Sequence, residues 1–216
     1  MKVIILTGIS KGIGKAIFSN LSNQFEVIGI SRNLSENKKS KRKLKIECDL
    51  SKLLDVEQLD LSFIEPNNQI IFINNAAIIE PIAINGTIKR ESIEKIYNTN
   101  VIAPIILIQK ILNLSNPERI KIINITSGAA KKPLPGWSLY SSSKAAVEIY
   151  LEALLLEYPN IKIINYDPGV VDTNMQMNIR SKKVYEFPLV ERFKEFKYEN
   201  YLRDTEVVAK EIIELI

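Results

Sequence analysis

Six short runs rich in isoleucine and valine constrain this chain more than any other feature: Val3–Leu6, Glu26–Ile30, Leu44–Cys48, Gln69–Ile73, Ile120–Ile125 and Ile161–Tyr166. Several are apolar at consecutive rather than alternate positions, the pattern of parallel strands covered on both faces. Between them, Gly14–Leu21, Ser92–Leu114 and Leu139–Leu156 carry apolar residues at helical spacing, and Thr205–Ile216 does so after the last run. The alternation predicts an α/β fold of three layers, a doubly wound parallel sheet whose ligands sit beyond the carboxyl ends of the strands. The 216 residues, without internal repeat or linker, suit a single domain, 1–216. Two segments are less regular. Asn33–Lys43 leaves hardly room for a crossover helix, and the charged and aromatic stretch 174–204 reads as a substrate-binding insertion or lid.

Absences narrow the chemistry. There is no histidine, which removes Ser-His-Asp and Cys-His nucleophilic machinery and the commonest zinc and iron ligand sets, so no metal site is expected. Acid–base work near neutral pH then falls to Asp, Glu, Lys, Tyr or the single cysteine, Cys48. A lone cysteine forms no internal disulfide and suits a reducing, cytoplasmic setting; beside Asp49 at a strand end it reads as a buried small hydrophobe. The first apolar run is too short for a signal-peptide core, and no run has the length of a membrane span. The net charge of +4 demands no nucleic-acid or membrane partner. The basic run Lys38, Lys39, Lys41, Arg42, Lys43 and Lys45 lacks interleaved aromatics for base stacking and is read as a solvated loop, not a nucleic-acid site.

Directly after the first strand comes TGISKGIG. Glycine allows a tight turn and lets backbone N–H groups approach a pyrophosphate, and the helix that follows offers its positive end. Gly8, Ser10, Lys11, Gly12, Ile13 and Gly14 are therefore the expected phosphate cradle. The second strand ends in GISRN, where a carboxylate would serve the ribose hydroxyls of NAD. Arg32 stands there instead, and with Lys11 it suits the 2′-phosphate of NADP(H), although both also read as solvated surface charges.

Tyr140 and Lys144 lie at i and i+4 on one helix face, in YSSSK. A free tyrosine is a poor base at neutral pH, and a neighbouring ammonium is expected to lower its pKa into a working range. Upstream, at the end of the fifth strand, the hydroxyl of Ser127 would converge on the same cleft and hydrogen-bond a substrate oxygen. Serine, pair and glycine turn occur in the order and on the elements that such a site needs.

With these residues in view, the chain resembles the short-chain dehydrogenases/reductases, single-domain proteins of Rossmann type, over its whole length. The resemblance implies that Ser127 polarises substrate, Tyr140 exchanges the proton and Lys144 binds cofactor, while Asn100 supports a water in a proton relay. It also implies cofactor contacts from Asp49, from Asn75 and Ala76 within NNAA, and from Pro168, Gly169, Val171 and Thr173 within DPGVVDT. Ala77 departs from the usual glycine. SGAAKKPLPGWSLYSSSKAA and PGVVDTNMQ resemble the sepiapterin-reductase and benzil-reductase branch, whose substrates are pterins or 1,2-dicarbonyls. The implied function is an NADP(H)-dependent carbonyl reductase/alcohol dehydrogenase acting on a small molecule, as a homodimer or homotetramer. Members usually continue into a further strand after the last helix, so a sheet one strand short is expected here.

Other readings stay open at this point. Trp137 and Met175 are candidate substrate contacts or ordinary packing, and Met177 likewise; Asn98 and Asn100 also read as helix-interrupting residues. A non-catalytic NADP(H)-binding sensor or scaffold is the alternative function. A sugar-nucleotide epimerase is less suited, because no substantial substrate domain follows.

Overall fold

A computed structural model describes residues 1–33 and 42–216. The expected short crossover at 33–43, and with it Lys38, Lys39 and Lys41 of the basic run, falls largely outside the described residues. Among those residues, one parallel sheet comprises β1 (Lys2–Thr7), β2 (Glu26–Ser31), β3 (Lys43–Glu47), β4 (Gln69–Asn74), β5 (Ile120–Ile125) and β6 (Lys162–Tyr166). Their spatial order is β3-β2-β1-β4-β5-β6. The sheet winds outward in both directions from β1 and β4, so the chain reverses between them and opens a crevice at their carboxyl ends.

The consecutive apolar residues divide by parity. Val3 and Ile5 of β1, with Ile70 and Phe72 of β4, pack under α2 (Leu53–Glu57), α4 (Ala103–Leu114) and α5 (Ser138–Glu157). Ile4 and Leu6, with Ile71 and Ile73, pack on the other face under α1 (Gly12–Asn20) and α8 (Thr205–Glu214). All eight are at most 1% exposed, and burying each stabilises the fold by about 1.5–3 kcal/mol relative to leaving it in water. Three layers follow from a sheet with no polar face. No strand follows α8 among the described residues.

Arg42 and two lysines of the basic run are described, and the lysines fold back on α1. Lys43 Nζ donates to the carbonyls of Phe18 and Ser19 at 2.8 and 3.4 Å, and both Lys43 and Lys45 lie over the Phe18 ring. Cations at a helix's last carbonyls are favoured by the peptide dipoles. These two side chains are thus structural contacts, where the sequence reading had a solvated loop.

The Ser92–Leu114 stretch is helical throughout, with a π-helical break in its regular pitch. α3 (Arg90–Tyr97) runs into a wide π-helical turn, Asn98–Ile102, before α4 begins. Pro104 accounts for the break: it has no N–H to give the carbonyl of Asn100, and its ring would clash with that carbonyl in a regular helix. Two further helices, α6 (Asn174–Arg180) and α7 (Val190–Tyr198), occupy the 174–204 stretch and close over a third cluster built from Trp137, Phe187 and Phe193.

Candidate active site

A cleft of about 530 Å³ runs along the carboxyl ends of β1, β4, β5 and β6. At one end the turn from β1 into α1 supplies Gly8, Ser10, Lys11, Gly12 and Ile13, beside Arg32 and Asp49. Gly8 and Gly12 have φ of +78° and +56°, in the left-handed region where a side chain is strained. A Cβ on Gly8 would also come within 2.8 Å of Asn75 Nδ2. Asn75 fixes this turn: its Nδ2 donates to the carbonyl of Thr7 at 2.8 Å, while Thr7 Oγ1 accepts from the N–H groups of Asn75 and Ala76. Thr7, which the sequence reading passed over, therefore joins β1 to β4 under the cradle.

Asp49 is held by Ser51, whose N–H and hydroxyl donate to Oδ1 at 3.0 and 2.8 Å. Burial opposes its charge, but these bonds and the nearby cations Arg32 and Lys52 together hold its carboxyl below the ordinary value. Arg32 and Asp49 thus share one wall of the cleft.

Ser127, Tyr140 and Lys144 meet in the middle of the cleft. Ser127 sits just beyond β5, where its Oγ accepts from the N–H of Ala129 and caps a short turn. Tyr140 and Lys144 project from one face of α5, both buried. The ammonium of Lys144 donates to the carbonyl of Ile125 at 2.7 Å and stands 6.0 Å from the centre of the Tyr140 ring. Burial pushes the Tyr140 phenol up to about 12, with a hydrogen bond from Ser127 pulling down and the charge of Asp167 pushing up. Burial likewise pushes Lys144 down to about 8, against the charge of Glu148. The expected lowering of the tyrosine by its lysine is not seen: burial sets the direction, and the ammonium is turned toward the strand end.

Two predicted residues stand behind the cleft wall instead of on it. Asn100, 3% exposed, accepts at Oδ1 from the N–H of Ile78 at 2.9 Å, and its Nδ2 donates to the carbonyl of Ile78 and to Ser143 Oγ. Its side chain is committed to clamping the β4 loop, and its main-chain carbonyl, which Pro104 deprives of the usual helical donor, is the group left for the implied water relay. Gly14 packs beneath the cradle, where a Cβ would strike the carbonyl oxygen of Gly8.

Pro168, Gly169, Val171 and Thr173 line the cleft opposite the glycine turn. Thr173 also caps α6 by accepting from the N–H of Gln176. This loop is strapped from behind by Arg203, whose Nη1 donates to the carbonyl of Pro168 at 3.0 Å and whose N–H donates to the carbonyl of Val170. Trp137 and Met175 line the far end with Leu134, Ile179, Phe193 and Phe196, whereas Met177 is 54% exposed and points elsewhere. Trp137 does both things the sequence left open: it borders the cleft and stacks on Phe187 at 5.1 Å, with its edge toward Tyr140.

A family model for the short chain dehydrogenases matches residues 2–184. The chain belongs to this family. It is 33% identical to benzil reductase ((S)-benzoin forming) of Bacillus subtilis over all of this chain and 93% of that one. Sepiapterin reductase of Rattus norvegicus is 26% identical over 99% of this chain and 90% of its own. Among solved structures, the KRED1-Pglu enzyme superposes with a TM-score of 0.87 at 25% identity, over all of this chain and 94% of that one. The family consists of oxidoreductases that use nicotinamide cofactors, and this short-chain dehydrogenase carries its Ser–Tyr–Lys set in one cleft with the glycine turn.

Proposed function

We propose that this chain is an NADP(H)-dependent carbonyl reductase, working reversibly as an alcohol dehydrogenase on a small 1,2-dicarbonyl or pterin substrate. The observation that carries the reading is the shared cleft of glycine turn, Arg32, Ser127, Tyr140 and Lys144. The residues fit the dinucleotide, since Gly8 and Gly12 hold conformations and spaces that a side chain would deny. Ser10, Gly12 and Ile13 would hold the pyrophosphate through backbone N–H groups, above Gly8, whose own N–H is taken by the carbonyl of Ile30, with Lys11 and Arg32 on the 2′-phosphate. Asp49 would meet the adenosine, and Asn75, Ala76, Pro168, Gly169, Val171 and Thr173 the nicotinamide half. When bound, the dinucleotide supplies or accepts the hydride.

The protein's own part is alignment and proton supply. Ser127 Oγ and the Tyr140 hydroxyl hold the substrate oxygen from two sides. Tyr140, kept as a neutral phenol by its burial, gives its proton to that oxygen as negative charge develops, and the Lys144 ammonium stabilises the phenolate left behind. Asn100 supports this face from behind through its clamp on Ile78. The wall at 174–204, with Met175, faces Trp137 across the far end and selects the substrate. The relatives named benzil reductase and sepiapterin reductase support the dicarbonyl or pterin class. We further propose a cytoplasmic homodimer or homotetramer.

The test is NADPH oxidation against a panel of 1,2-diketones, pterins and simple ketones, with NADH in parallel. Turnover on a dicarbonyl, faster with NADPH, is the expected result. Tyr140→Phe should lose about 10²–10⁴-fold in rate while binding NADPH normally. Equal efficiency with both cofactors would remove the NADP(H) assignment. Cofactor binding without reduction of any compound would favour the sensor or scaffold.

A further inference from the structure

Lys144 is not the only buried charge on the inner face of α5. One turn further along, Glu148 is 8% exposed, and Lys144 itself is 5% exposed. A carboxylate at that depth is uncommon unless something holds it. Here Thr126 Oγ1 donates to Glu148 Oε1, while the carbonyl of the preceding residue, Ile125, accepts from Lys144 Nζ at 2.7 Å. The next residue is Ser127. Three consecutive residues at the end of β5 therefore serve the lysine, the buried Glu148 carboxylate and, through Ser127, the place proposed above for the substrate oxygen.

We propose that Glu148 is a positioning residue, a carboxylate locked by Thr126 that keeps Lys144 in its ammonium form at the end of β5 and thereby sets the upper pH limit of the reaction. The proposal rests on the role given to Lys144 above. The groups facing the lysine leave this task to Glu148. From its own helix come Glu148 and the neutral phenol of Tyr140; from β5 come an uncharged carbonyl and hydroxyl. Asn100, in the π-helical turn, reaches α5 through Ser143 without charge. Asp167, after β6, lines the same cleft and acts on Tyr140.

The sign follows from two opposed effects. Burial outweighs the opposing Glu148 charge, and together they leave Lys144 at about 8. Removing the charge lets burial act unopposed, so the lysine is neutral at lower pH. A reaction that needs the ammonium then loses its high-pH limb earlier.

The experiment is kcat/KM for carbonyl reduction from about pH 6 to pH 10 in wild type and Glu148→Gln, with saturating NADPH. Glutamine keeps the shape and an acceptor for Thr126. The descending limb should move down by about one pH unit, so the rate above the limb falls roughly tenfold while the rate near pH 6 changes little. Glu148→Asp should return most of the shift. Thr126→Val, which leaves the carboxylate but unlocks it, should move the limb the same way by less, and serves if the glutamine variant folds poorly. A limb that stays in place in Glu148→Gln, even with lower amplitude, would reduce Glu148 to a packing role and overturn the proposal. Lys144→Ala separates the two readings: if it keeps wild-type turnover and profile, the role of the lysine fails first and Glu148 falls with it.

Discussion

Gly8 and Gly14 belong to one motif but meet different demands. Gly8 faces the cleft with φ of +78°, whereas Gly14 lies beneath it, where added carbon would collide with the Gly8 carbonyl. Backbone cannot yield as a flexible side chain can, so Gly14→Ala should push the whole turn outward. We expect a loss of about 1–3 kcal/mol in urea unfolding together with weaker NADPH binding, measured by titrating the cofactor's fluorescence. A stable variant with unchanged affinity would show that the helix can slide to admit the methyl. At this scale Ser127, Tyr140 and Lys144 were legible because their spacing on strand end and helix face already implied convergence. Glu148 was not, since a glutamate on a helix reads as solvent-facing; its only signal was its place four residues after Lys144. The Tyr140 phenol runs against the expected direction because burial depth, which a sequence does not show, sets it.

The elements were legible where their contacts are local or repetitive. Strands buried on both faces announce themselves by consecutive apolar residues, and all six runs fall within a residue of the strands observed. The helix predicted over Ser92–Leu114 forms, but with a wide turn before Pro104, a signal present in the chain that the apolar periodicity around it concealed. The Arg203 strap had no signal, because it pairs Pro168 and Val170 with a residue near the far end of the 174–204 wall. Val171 and Arg203 form an isolated parallel bridge, the N–H of Asp172 donates to the carbonyl of Arg203, and the guanidinium also pairs with Glu211. Cutting the side chain leaves the main-chain bridge, so Arg203→Ala should melt close to wild type. The Pro168 carbonyl would lose its donor, and the loop proposed to meet nicotinamide would be less well placed. A misplacement of that kind costs rate more than stability, and we expect kcat to fall about tenfold. Unchanged kcat with a lowered melting temperature would make the strap purely structural.

For the molecule as a whole, the sheet reversal between β1 and β4 places the cleft, and the α6–α7 wall completes it. The first was predictable from winding rules; the second was legible only as an irregular insertion, without its helices, because its mixed charges and aromatics carry no period and their arrangement depends on packing against Trp137. Phe187 is where that packing concentrates. It is fully buried, stacks on Trp137 with an interplanar angle of 2°, and lies 5.3 Å from Phe193. Gly136 exists at the same contact, where a Cβ would come within 3.2 Å of the Phe187 ring. The wall therefore reaches the start of the helix that carries Tyr140 through the Trp137–Phe187 stack, and truncating it should disturb stability and substrate handling together. Phe187→Ala is expected to lose about 3–5 kcal/mol, read from urea unfolding followed by Trp137 emission, the chain's single tryptophan. Its KM for the carbonyl should rise, while NADPH affinity, set at the other end of the cleft, should hold. If KM stayed at the wild-type value despite the lost stability, the wall would shape the substrate end through its own helices, and the stack would serve folding alone.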